Sequence, residues 1–119
     1  MDRVGSGDRL PAGLAKRPDA VAVDPQGNRI AIEIERHVKT LKRYEAVFAI
    51  YLQSIKWGEY AAVHYICPDE RLARQLVRVF GLIQAVPLLG DRVPIGDKHR
   101  ARFPVYGLET WPSVPDVVA

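Results

Sequence analysis

The chain has 119 residues, 48% of them hydrophobic and 26% charged, with a formal net charge of +3. That is one domain's length with enough apolar side chains for a single core, which excludes a disordered or fibrous chain. A single cysteine, Cys67, excludes an intramolecular disulfide, and no apolar run reaches the ~18 residues of a membrane span. A lone cysteine in an apolar run reads as a small buried hydrophobe. A reducing, cytoplasmic setting and no membrane partner are the expectation.

Residues 1–17 carry Gly, Arg and Pro with little periodicity. They read as a flexible leader, or as the boundary of a piece of a longer protein, with a helical turn near Leu14–Lys16. Residues 18–119 read as a single domain. From Pro18 to Asp24 the chain predicts a strand, with Pro tolerated at its start. Pro25-Gln26-Gly27-Asn28 is a turn signal. Arg29 to Glu35 then alternates, with Ile30, Ile32 and Ile34 set against Ala31, Glu33 and Glu35, so the two segments form a hairpin.

The period then changes. Leu41, Tyr44, Phe48, Tyr51 and Ile55, widened by Val47 and Leu52, predict an amphipathic helix of about four turns. Thr40 or the residues just before it are placed to cap it and Gly58 to end it, with Trp57 covering that end. Ala61–Cys67 reads as a strand covered on both faces. Pro68-Asp69-Glu70 opens a second helix with the stripe Leu72, Leu76, Val79, Phe80 and Ile83. Val86–Leu89 reads as an edge strand, residues 90–102 as a polar basic loop, and Phe103–Tyr106 as a last short strand before a Pro-rich tail with Trp111. This order makes an α/β (α+β) domain: a mixed sheet with helices on its faces.

Side chains two apart on a strand share a face, so Glu33 and Glu35 point the same way. Two adjacent carboxylates repel. A hard cation such as Mg²⁺, or Mn²⁺, resolves that conflict, and Asp19 supplies a third ligand if the hairpin register sets it opposite them. Directly opposed residues keep a constant number sum. Facing Glu33 or Glu35 requires a sum of 52 or 54, hence an odd number of loop residues, or else a bulge near Pro18. The competing reading is that Glu33 and Glu35 form the solvated face of an exposed strand, paired to Arg29 or Arg36.

Pro18-Asp19, a hairpin turn and Glu33-Ile34-Glu35 resemble the PD-(D/E)XK nuclease signature. The resemblance implies a restriction-endonuclease-like core in which Asp19, Glu33 and Glu35 hold Mg²⁺. Where the superfamily usually carries lysine, this chain has Glu35. In divergent members the lysine comes from the following helix, a part that Lys39 or Lys42 would take. Arg17 to about Tyr51 is similar to the C-terminal region of plasmid mobilisation proteins of the MobC and replication-relaxation type. That similarity implies a conjugation protein acting with a relaxase at a transfer origin. The expected activity is Mg²⁺-dependent phosphodiester hydrolysis of the endonuclease type, with Asp19, Glu33, Glu35 and Lys39 as catalytic residues.

Arg36, His37, Lys39, Lys42 and Arg43 follow the carboxylates with no acid among them and are the candidate DNA contacts. Arg71, Arg74 and Arg78 lie along one side of the second helix, and Arg92, Lys98, His99, Arg100 and Arg102 in the basic loop; both sets also read as solvated faces. His64, in an apolar strand, reads as a hydrogen-bonded core histidine, and Tyr44, Phe48 and Tyr51 as core. There is no Ser-His-Asp spacing, Gly-rich phosphate loop or zinc-type cluster. Two alternatives stand beside the enzyme: a catalytically inert nuclease-fold module that docks a relaxase or DNA, and a homodimeric scaffold built through Val105–Val118.

Overall fold

The computed structural model describes residues 17–111. Residues 1–16 of the leader, with its helical turn near Leu14–Lys16, and the tail beyond Trp111, which holds the end of the expected dimer segment, lie outside the described residues.

Strand β1 (Ala20–Val23) and strand β2 (Arg29–Ile34) form the expected hairpin. Its turn is organised by Asp24, whose carboxylate accepts the Gln26 amide at 3.0 Å and the Asn28 amide at 2.8 Å. Helix α1 (Leu41–Lys56) follows, with the Thr40 hydroxyl accepting the Arg43 amide at 3.2 Å. It ends at Gly58, where φ is +84°. The Gly58 amide donates to the Ile55 carbonyl and the Glu59 amide to the Ser54 carbonyl. That is a Schellman closure, and its left-handed residue is one only glycine adopts without cost. Trp57 does not cover this end; it is 72% exposed.

Strand β3 (Ala62–Cys67) runs parallel to β2. Helix α2 (Glu70–Gly81) is capped by Asp69, whose carboxylate takes the Leu72 amide at 2.8 Å. Strand β4 (Ala85–Leu88) does not join the main sheet as an edge strand. It pairs with strand β5 (Asp91–Pro94) in a separate two-stranded ribbon. The stretch expected to be a polar loop therefore holds β5 and a one-turn helix α3 (Asp97–Arg100). Strand β6 (Val105–Gly107) closes the main sheet parallel to β3, giving the order β1-β2-β3-β6.

The domain is thus α+β with a mixed sheet, but α1 and α2 pack on the same face rather than on both. Both crossovers advance the sheet in one direction, and right-handed crossovers then put both helices on one side. The core between them and the sheet holds Ala31, Val63, Tyr65 and Cys67 from the strands and Phe48, Leu76 and Phe80 from the helices. Phe48 stacks on Phe103 at 3.7 Å, and the Phe80 ring meets Tyr44, Phe48 and Tyr65 edge-on. The opposite face carries a smaller cluster of Ala22, Ile30, Ile32 and Ile66 with Trp111. His64 is buried there and accepts from the Trp111 indole at 3.1 Å, the satisfied core histidine expected of it. Among the described residues no helix is long and apolar enough to cross a membrane.

Candidate functional site

The register answers the geometric question the carboxylates pose. Ala20 opposes Ile32 and Val23 opposes Arg29, sums of 52, with five residues in the loop. Continued by one residue, this even register sets Asp19 across from Glu33. The chain bends at Asp19, however. The Asp19 amide donates to the Ile32 carbonyl at 2.9 Å, and its carboxylate accepts the Ile34 amide at 2.7 Å. Asp19 thus closes the open end of the hairpin from an exposed position. Its acceptor is turned to the β2 backbone.

Glu33 and Glu35 do share a face, and it is not the solvated one. They are only 7% and 6% exposed, under α1. Burying two carboxylates is costly unless each finds a donor. Helix α1 supplies both. The Tyr51 hydroxyl donates to Glu33 and the Tyr44 hydroxyl donates to Glu35. Two residues along the strand are thereby matched to seven along the helix, two full turns, in opposite chain order. Glu35 also accepts from the Lys39 ammonium at 2.6 Å, and the Lys39 amide donates to the Tyr44 hydroxyl oxygen at 2.9 Å. The turn between β2 and α1 is therefore tied to the carboxylate it follows.

Electrostatics agree with the geometry. Burial first, then the hydrogen bond to Glu33 and its charge, push the Tyr51 phenol far above its ordinary range. Burial and the bond to Glu35 do the same for Tyr44, partly offset by the Lys39 amide. Both phenols are fixed as protonated donors. Tyr65, beside Glu33 on β3, is also pushed up, by burial and by the two carboxylates. Burial raises the Cys67 thiol to about 11, so it stays a neutral hydrophobe and not a nucleophile.

These side chains do not fit a divalent metal as arranged. Among the described residues no group of three or more His, Cys, Asp or Glu side chains is close enough to hold one. Asp19 holds a backbone amide, Glu33 a phenol, and Glu35 a phenol and an ammonium. A hard cation needs carboxylate oxygens turned to a common point. The sequence pattern marks Tyr44 and Tyr51 as core only. Their polar tips, at heptad spacing on the helix that follows two like-facing acids, are the signal that could have found them.

The basic run is surface. Arg36, His37 and Lys42 are exposed, and no hydrogen bond or ion pair holds their side chains among the described residues. Lys39 is engaged with Glu35, and Arg43 is half-buried and partnered. The first turn of α1 contains no acid but does contain Lys42 and Arg43. Cations at a helix N-terminus oppose the helix dipole, so their position is not explained by helix stability. Arg78 and Gln75 of α2 line a shallow groove with Val38, which joins α2 to this surface. Two of the loop cations serve structure instead. Arg92 forks onto Glu45 with both contacts at 3.2 Å, and Arg100 bonds Asp97 at 2.9 Å and the Ile83 carbonyl.

Comparison with models of known families, with curated proteins and with solved structures finds no match for this chain. Its chemistry has to be read from its own side chains.

Proposed function

We propose that this chain is a DNA-docking module with a restriction-endonuclease-like core, the catalytically inert counterpart of the nuclease its motif resembles. Its setting would be cytoplasmic, in a plasmid mobilisation protein that works with a relaxase. The observation that carries this reading is the acid-free cationic surface from Arg36 to Lys42 at the start of α1, continued by Arg78. Phosphates bound there would meet the α1 N-terminal dipole as well as the side chains. Affinity would come from released counterions and carry little base preference. Glu35 and Lys39 support this surface from below: the Lys39–Glu35–Tyr44 network holds the turn that presents it.

Replacing Lys42, Arg36 and Arg78 by Ala tests the surface. Duplex binding weakens, and the slope of log K against log salt flattens by roughly 0.9 for each phosphate no longer neutralised. Equal slopes in parent and variant would remove the surface from consideration.

The second reading is an active Mg²⁺-dependent endonuclease. In its favour are the even hairpin register and the shared face of Glu33 and Glu35. No hydrolytic step is assigned to Asp19, Glu33, Glu35 or Lys39, because the three carboxylates accept from protein donors and the Lys39 ammonium is given to Glu35. Nicking of supercoiled plasmid in Mg²⁺ or Mn²⁺, lost in Glu33→Gln, would make this second reading the correct one.

A further inference from the structure

A second site lies away from the carboxylates, where the β4–β5 ribbon leans on the C-terminal half of α1. The two elements enclose a cleft of about 420 Å³, within the ~300–1,000 Å³ typical of small-molecule sites. Its walls are aliphatic: Leu52 and Ile55 come from α1, Val86 and Val93 from the ribbon. No Phe, Tyr or Trp lines it, and its one ring, the imidazole of His99, sits at the rim, so the walls offer a nucleobase no stacking platform.

The rim has one sign of charge. The cations Lys56, Lys98 and Arg102 line it with His99 beside them, and no carboxylate does. Elsewhere on the same segment cations are matched, Arg92 by Glu45 and Arg100 by Asp97. The rim cations are not. Lys56 and Lys98 make no hydrogen bond or ion pair among the described residues. Arg102 gives one nitrogen to the Ala61 carbonyl at 2.8 Å, which anchors the guanidinium and leaves further N–H donors. The His99 Nδ1 accepts the Gly96 amide at 3.0 Å, which leaves Nε2 as a donor.

We infer that this cleft binds a single-chain amphipathic anion, an aliphatic chain bearing a carboxylate. The walls would take the chain by burial of apolar surface. The rim would take the head through charge-assisted hydrogen bonds. Charge complementarity and walls that are aliphatic throughout select this class over a nucleotide.

The test is calorimetric titration of the full chain with monomeric sodium decanoate. Saturable one-to-one binding is expected. Lys98→Gln combined with Lys56→Gln touches only exposed side chains and should weaken it by at least about tenfold. Decanol, which keeps the chain and lacks the charge, should bind at least about tenfold more weakly than decanoate. Val93→Trp, checked for native circular dichroism, should abolish binding by filling the cleft. No saturable decanoate binding overturns the inference. So does equal affinity for decanol, or an unchanged affinity in the double Gln variant. Binding to anionic phospholipid vesicles with none to monomeric decanoate would overturn it too, assigning the surface to a membrane headgroup.

Discussion

Removal of one hydroxyl, in Tyr51→Phe, tests the account of the buried carboxylates most directly. The ring keeps its edge-on neighbours, Tyr60 at 6.2 Å and Phe103 at 6.4 Å, so packing is nearly preserved. What goes is one donor to Glu33, which is 7% exposed and beyond the easy reach of water. A hydrogen bond to a charged group contributes ~1.5–3 kcal/mol, so a loss of about 2 kcal/mol at pH 7 is expected. With a urea dependence of ~1–3 kcal/mol per molar for a small domain, the midpoint falls by roughly 1 M. The same substitution has an alkaline signature. Tyr44, Tyr51 and Tyr65 all hold their protons more tightly when folded. Above about pH 10 the folded state therefore binds more protons than the unfolded one, and stability falls as pH rises, by ~1.4 kcal/mol per pH unit for each such phenol. Cys67, raised to about 11, adds a loss of the same sign that starts nearer pH 9, equal in both proteins. Urea titrations between pH 8 and 11 should show a shallower alkaline decline in Tyr51→Phe than in the parent, by the share of one phenol. An unchanged midpoint at pH 7 together with an unchanged alkaline slope would refute the Tyr51–Glu33 pairing.

Calorimetry with Mn²⁺ should detect no stoichiometric site in the parent, since Asp19, Glu33 and Glu35 are each held by protein donors. One-to-one binding that disappears in Glu33→Gln would restore the metal site. At the β4–β5 turn Leu89 is 95% exposed with φ +53°, followed by Gly90 at +84°. Two left-handed residues in a two-residue hairpin loop favour Asn-Gly. Leu89→Asn should therefore stabilise the domain by about 0.5–1 kcal/mol, and a thermal midpoint at or below that of the parent would count against the strain.

Much of this protein was decided locally and is legible in the residues. Alternation marks β2, a 3.6-residue stripe marks α1 and α2, and Thr40, Gly58 and Asp69 mark helix ends where their side chains or φ angles act on adjacent backbone. The register was not legible: Pro25 to Asn28 counts four residues, and it is the structure that draws Asp24 into the loop, making five and an even sum. That Glu33 and Glu35 share a face does follow from the sequence, because a strand's side chains alternate with period two. Whether that face is wet, metal-bound or covered does not, since it depends on where α1 lies after the connection that follows Ile34. Only the packed structure brings Tyr44 and Tyr51 over the carboxylates, turns Asp19 to the Ile34 amide and folds Lys39 back on Glu35. The ribbon that replaces the expected basic loop is tertiary in origin too. The short β4 and β5, with Pro87 and Pro94 among them, are stabilised by burying Val86 against α1 more than by local propensity, and that packing forms only when the chain is folded.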